Sequence, residues 1–203
     1  RQGPGGNAAA SGEAARVFQL WKKIIIAFIP AAAIGVFIED ILEKYLFNTL
    51  SVSVALIAGA FLMLYAEKRG KGGKTETVSG ISVKQALAVG FFQCLSMWPG
   101  MSRSASTIAG GLFAGLSRTM AAEFSFFLGV PTIISASLYK LCKTGFVISS
   151  GQWAVLATGT AVSFVTALLV IGFFMDYLKK KGLLPFAVYR IVLGAVILLF
   201  FGF

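Results

Sequence analysis

Five apolar runs, each near the ~20 residues that cross the hydrocarbon core of a bilayer, constrain this chain more than any other feature. They lie at about residues 23–38, 45–66, 124–141, 152–175 and 184–203. At 57% hydrophobic residues over 203 positions, with mean hydropathy +0.84, the chain is too apolar for a soluble domain. The first run is short and carries Pro30, but Lys22 and Lys23 can extend it by snorkelling. The expected fold is therefore an all-α polytopic membrane protein. Residues 1–16 read as a polar, Gly/Ala-rich loop and 17–203 as one integral membrane domain.

A sixth apolar stretch, residues 85–117, holds a single charge, Arg103. As one helix it would be about 50 Å long, too long for a ~30 Å core, yet it falls short of the ~40 residues that two spans need. A re-entrant helix-loop-helix with Pro99-Gly100 at its tip fits. Charge distribution supports the fold-back. If the segment enters and leaves on one side, Arg1, Arg16, Lys22, Lys23, Lys68, Arg69, Lys71, Lys74, Lys84, Arg118 and Lys179–Lys181 share one face, and only Lys44, Lys140 and Lys143 oppose them. The positive-inside rule makes the crowded face cytoplasmic. The hairpin base is then cytoplasmic, its tip points toward the midplane, and the C-terminus and the acidic break Glu39/Asp40/Glu43 are extracytoplasmic.

The formal net charge of +10 thus encodes topology rather than nucleic-acid binding. Cys94 and Cys142 lie in or beside apolar runs, which argues against a disulfide frame or a thiolate zinc site, and the chain has no histidine. Chemistry concentrates at Trp98-Pro99-Gly100-Met101-Ser102-Arg103-Ser104-Ala105-Ser106-Thr107. An arginine at membrane depth is expensive and is usually kept to meet a ligand, a partner residue or a pathway. Pro99-Gly100 breaks one helix, and hydroxyls crowd the start of the next, where free N–H groups and the positive dipole end favour phosphate. Elsewhere Ser and Thr in apolar helices mostly bond back to carbonyls or pack at interfaces. Gly110, Gly111 and Gly115 read as close-packing positions, and Arg190 reads as a structural residue free to snorkel outward. Re-entrant hairpins with polar tips characterise transporters built from inverted repeats. Only one such hairpin is visible here.

The residues carry a resemblance. Gln93-Cys94-Leu95 leading into Pro99-Gly100-Met101-Ser102-Arg103-Ser104-Ala105-Ser106-Thr107 resembles the second signature, P-G-x-S-R-S-x-x-T, of the bacterial undecaprenyl-diphosphate phosphatase (bacitracin-resistance) family, and every fixed position is met. The likeness extends to Lys23–Ala31, to Ala122–Leu128 with Val130-Pro131, and to Pro185–Ile191, covering the chain from about Val17 onward. The family resembles a pair of inverted repeats. Its first signature, an acidic E/Q-x-x-x-E with a Ser-Ser/Thr-Gly-His stretch, is read as lying outside this sequence, which is then the C-terminal part of the architecture.

That resemblance implies hydrolysis of undecaprenyl diphosphate to undecaprenyl phosphate and inorganic phosphate, recycling a lipid carrier of cell-wall synthesis in the bacterial plasma membrane. Arg103 is the expected phosphate clamp, Ser102 and Ser104 its catalytic companions, and Gly100, Thr107 and Gln93 the substrate-binding residues. A divalent cation, Mg²⁺ or Ca²⁺, is implied by the resemblance alone, with ligands outside the chain. Expected partners are the polyprenyl diphosphate lipid, the membrane and a second copy in a homodimer, with no nucleic acid. By itself the chain is expected to hold a diphosphate weakly and to hydrolyse it hardly at all. The alternative is a transporter or flippase that binds an anionic lipid headgroup without hydrolysing it.

Overall fold

A computed structural model describes residues 5–70, 72–145 and 149–201. Seven α-helices follow one another among them. They are α1 (Gly5–Leu46), α2 (Thr49–Arg69), α3 (Val83–Cys94), α4 (Arg103–Phe113), α5 (Arg118–Lys143), α6 (Ser150–Lys181) and α7 (Leu184–Phe201), with 3₁₀ turns at Val78–Gly80 and Leu95–Met97. No strand occurs among the described residues, only one isolated bridge between Thr75 and Leu116. Five helices, α1, α2, α5, α6 and α7, are long and apolar enough to cross a membrane. The helix starts are written locally. Asn48, Ser82, Ser117 and Ser149 each accept a hydrogen bond from an N–H in the following first turn, and Ser82 and Ser149 complete capping boxes with Gln85 and Gln152.

Residues 5–16, expected as loop, instead begin α1, while residues 1–4 lie outside the described part. Alanine is the strongest helix former, and Ala8–Ala10, Ala14 and Ala15 outweigh the early glycines. Pro30 does not end α1. Lys23 Nζ donates to the carbonyls of Val78 (2.8 Å) and Ser79 (3.0 Å), closing a loop.

Helix α4 is the hub. Residues 105–112 are buried all round, as expected of a helix enclosed by others. Its glycines are contact points: a Cβ on Gly110 would meet Phe92 of α3 at 2.5 Å, and one on Gly111 would meet Ala121 of α5 at 2.8 Å. The expected close packing therefore holds for both, whereas Gly115 sits in a turn at φ 88°. Around α4 the core is filled by Ile24 and Ala27 of α1, Ala60 and Met63 of α2, Val89 of α3, and Phe124 and Leu128 of α5. By contrast α6 buries only Leu178 and presents large apolar side chains outward.

Polar contacts sort the two ends. At one end Glu67 of α2 pairs with Arg118 of α5 and accepts from the Leu183 N–H before α7. At the other, Lys140 pairs with Glu39 and Glu43, and Lys143 with Asp40. The first end gathers breaks that the charge count puts on one face, and the second gathers the acidic break.

Helices α3 and α4 have 12 and 11 residues, about 18 and 16 Å, so neither crosses a ~30 Å core. Their open ends are tied together by Gln85, whose Nε2 donates to the Ala114 carbonyl at 2.9 Å, and by Thr75, which bonds Gly115 and Ser117. The apex meets the first turn of α2. Trp98 Nε1 donates to Ser51 Oγ at 2.7 Å, in the first turn of α2, and the bare Cα of Gly100 (φ 96°) rests against the Val52 carbonyl. An indole on a hairpin apex needs an acceptor in an apolar setting, and the hydroxyl of Ser51 supplies it. The chain then returns, so that the Met101 carbonyl lies beside Gly59, halfway along α2.

Candidate functional site

The hairpin apex opens on a cavity of about 620 Å³ between α4, α5, α6 and α7. Its polar lining is Ser102, Arg103, Ser104, Tyr189 and Arg190; the remaining walls are apolar, from Met63, Ile108, Phe126, Val130, Val170 and Phe186 among others. Two guanidinium groups and no carboxylate line it, so it favours an anion. Its apolar walls suit a hydrocarbon tail attached to that anion.

Arg103, the first residue of α4, lies across α5. Its Nη1 donates to the Ser125 carbonyl at 2.8 Å, and its Nη2 reaches Ser104 Oγ at 3.5 Å. The guanidinium lies on Gly129, where a Cβ would sit 2.7 Å from Nη2 and 2.9 Å from Cζ. One helix thus supplies both an anchor for the fork and a bare surface to carry it. Ser102 caps α4 through Oγ, which accepts from Ala105 N at 3.4 Å, and it alone among non-glycine described residues has positive φ, at 70°. The N–H groups of Arg103 and Ser104, first and second in the helix, have no acceptor within it.

The remaining expected site residues fall elsewhere. Thr107 is fully buried and does not line the cavity. Its Oγ1 donates to the Arg103 and Ser104 carbonyls and meets Ser125 Oγ at 2.6 Å, so it fastens α4 to α5 behind the Arg103 anchor. Gly100 contributes its carbonyl to Arg190 and its missing Cβ to the fit against α2. Gln93, 1% exposed, donates to Thr132 Oγ1 at 3.1 Å and borders a second cavity of about 520 Å³ between α1 and α5. The structure thus brings Ser102, Arg103 and Ser104 together at the cavity and places Gly100, Thr107 and Gln93 outside its lining.

Arg190 does not snorkel. It is 9% exposed, and its Nη2 donates to the carbonyls of Gly100 (2.6 Å) and Met101 (3.0 Å). A charge seven residues into an apolar run carried the signal, but its partner lies ninety positions away in sequence. Gly129 and Gly59 had no signal beyond being small residues in spans.

A divalent cation does not fit the residues described. The cavity lining holds no Asp, Glu, His or Cys, and no group of three such residues close enough to hold a metal occurs among the described residues. Glu39 and Glu43 do have E-x-x-x-E spacing, which the sequence reading passed over, but they sit on the second cavity, both paired with Lys140. No step is derived through a metal.

Comparison with known proteins places the chain in a family. The family described as "Bacitracin resistance protein BacA" matches residues 5–196. The chain is 48% identical over 183 residues to a protein named undecaprenyl-diphosphatase 1 from Clostridioides difficile (strain 630), covering 90% of this chain and 67% of that one. It is 44% identical over 185 residues to an undecaprenyl-diphosphatase of Clostridium tetani (strain Massachusetts / E88), covering 91% and 68%. A relative so named from Bacillus subtilis (strain 168) is 45% identical over 178 residues, covering 87% and 64%. The chain spans about two thirds of the length of these relatives. With five membrane-length helices and a match that runs from α1 into α7 through the hairpin, this is a multi-pass membrane protein and belongs to the bacitracin resistance protein BacA family.

Proposed function

We propose that this protein hydrolyses undecaprenyl diphosphate to undecaprenyl phosphate and inorganic phosphate in the bacterial plasma membrane, so returning a lipid carrier to cell-wall synthesis. The observation that carries the reading is the cavity itself: a helix N-terminus and two guanidinium groups at one end, no carboxylate, and apolar walls for a polyprenyl tail. Relatives named undecaprenyl-diphosphatase at 44–48% identity support the same reaction.

In the reaction, an oxygen of water bonds to the terminal phosphorus while the bridging P–O bond breaks, its electron pair leaving on the lipid phosphate. Phosphoryl transfer asks little covalent chemistry of a protein; positioning and charge stabilisation dominate. Arg103 supplies a planar fork, held by Ser125 and floored by Gly129, that suits phosphate oxygens. The Arg103 and Ser104 N–H groups and the Ser104 hydroxyl add donors. The Ser102 hydroxyl already caps α4 and has no general base among the lining residues, so it serves the phosphate as a hydrogen-bond partner rather than as a nucleophile.

The hairpin base and the Glu67–Arg118 end face the cytoplasm, and the Lys140 end and C-terminus face outward, because the basic breaks collect at the first end.

The test is phosphate release from undecaprenyl diphosphate by the detergent-solubilised protein, with the lipid product identified by mass. Orthophosphate and undecaprenyl phosphate are expected in equal amounts. Arg103→Ala is expected to lower the rate by about 10²–10³-fold, as loss of a transition-state donor does, and Arg103→Lys to restore little of it. Lipid binding with no phosphate release, both by this chain and by the chain extended with the upstream segment of a relative, would favour the transporter alternative.

A further inference from the structure

The N-terminus of α4 is built unlike those of α2, α3, α5 and α6. Asn48, Ser82, Ser117 and Ser149 cap their helices at φ between −133° and −62°, whereas Ser102 caps α4 at φ 70°, directly after Gly100 at φ 96° and Met101. A non-glycine residue in that region costs on the order of 1–3 kcal/mol and persists only where its surroundings hold it. The surroundings are specific. The two carbonyls immediately before Ser102, those of Gly100 and Met101, are both gripped by one nitrogen, Nη2 of Arg190, at 2.6 and 3.0 Å. The arginine reaches them at the expense of its own Nε, which is buried with no hydrogen-bond partner.

A notch in α2 completes the arrangement. A Cβ on Gly59 would stand 2.5 Å from Arg190 Nη2 and 2.8 Å from the Met101 carbonyl oxygen, so only glycine leaves room for the guanidinium and the carbonyl to meet there. Three elements distant in sequence, α2, the hairpin apex and α7, thus converge on one peptide segment. That segment sets where the first turn of α4 points.

We propose that Arg190 is a positioning residue for the phosphate site: by holding the Gly100 and Met101 carbonyls against the Gly59 notch, it keeps Ser102 in its left-handed conformation and the Arg103 and Ser104 donors aimed into the cavity. The proposal rests on the diphosphatase reading above. It differs from a second charge-clamp role because its agent is the geometry of the apex, which can be disturbed without touching any charge. Gly59→Ala does that, since the added methyl group must push either the guanidinium or the Met101 carbonyl. Misplacing a catalytic constellation by about 1 Å can cost about 10²-fold in rate.

The experiment compares wild type, Arg190→Lys and Gly59→Ala in phosphate release from farnesyl diphosphate, reading kcat and KM separately, with helix content and melting followed on the same samples. Both variants are expected to lose about 10- to 100-fold in kcat with KM within about threefold. If Arg190→Lys fails to accumulate, Gly59→Ala, which removes no polar group, carries the test alone. Wild-type kcat in folded Gly59→Ala, or a loss confined to KM in Arg190→Lys, overturns the proposal. Arg103→Ala is run alongside. If it turns over like wild type, the reading of the site as a diphosphatase fails; if it is inactive while the Arg190 and Gly59 variants are normal, only the positioning role fails.

Discussion

At the scale of single residues, the site depends on side chains that are absent as much as on those present. Gly129 carries the Arg103 guanidinium on a bare helix surface, so Gly129→Ala should lift the fork off α5 and lengthen the Nη1 bond to the Ser125 carbonyl. The expected result is a loss of about tenfold or more in phosphate release with little change in melting temperature, checked by assay and thermal unfolding in one detergent. Thr107 makes the opposite case. Its hydroxyl is shared with Ser125 inside the α4–α5 contact, so Thr107→Val strands a buried partner and should destabilise the protein by about 1–3 kcal/mol. Rate per folded molecule should fall far less than in Arg103→Ala. Denaturant unfolding beside activity normalised to folded protein separates the two effects. Arg103 itself was legible in the sequence because a charge inside an apolar run, after a Pro-Gly break and among hydroxyls, demands a partner. The burial of Thr107 was not, because its partner Ser125 lies on α5 and is met only when α4 and α5 pack. Arg190 was half legible: its depth was plain, but its acceptors are created only when the hairpin apex meets α7.

At the scale of elements, the hairpin carries the account. Its two helices are too short to span, its open ends are joined through Gln85, Ala114 and Thr75, and the next helix begins with Arg118 paired to Glu67 at that same end. Single cysteines replacing Lys84 and Arg118, in a background lacking Cys94 and Cys142, should therefore react with an impermeant maleimide from the same side of the membrane. One replacing Lys143, at the end where Asp40 and Glu39 gather, should react from the other. Labelling of positions 84 and 118 from opposite sides would mean that the segment crosses. The existence of this hairpin followed from length arithmetic on residues 85–117, and the five spans followed from hydropathy; both are one-dimensional properties. The docking of the apex on α2 did not follow. It is set by the Trp98–Ser51 bond and by Gly100 against Val52, contacts that no local pattern encodes. The early start of α1 was missed for a simpler reason, since glycines were read as loop where neighbouring alanines govern.

At the scale of the whole molecule, polarity is divided between two cavities. One holds Arg103 and Arg190 without a carboxylate, and the other holds Glu39 and Glu43 with Lys140 at its mouth and Gln93 among its lining residues. Of these two cavities the one beside α4 suits an anionic headgroup with a long apolar tail, and the central claim is that the diphosphate sits there against Arg103. The most direct test is the affinity of the purified protein for a non-hydrolysable methylene-bisphosphonate analogue of farnesyl diphosphate, measured by equilibrium binding in detergent for wild type and Arg103→Ala at matched helix content. Removing a buried charge-assisted contact is worth about 1.5–3 kcal/mol, so binding should weaken at least tenfold. Equal affinity in the two proteins would contradict the account, because the diphosphate would then be held by something other than the arginine at the head of α4.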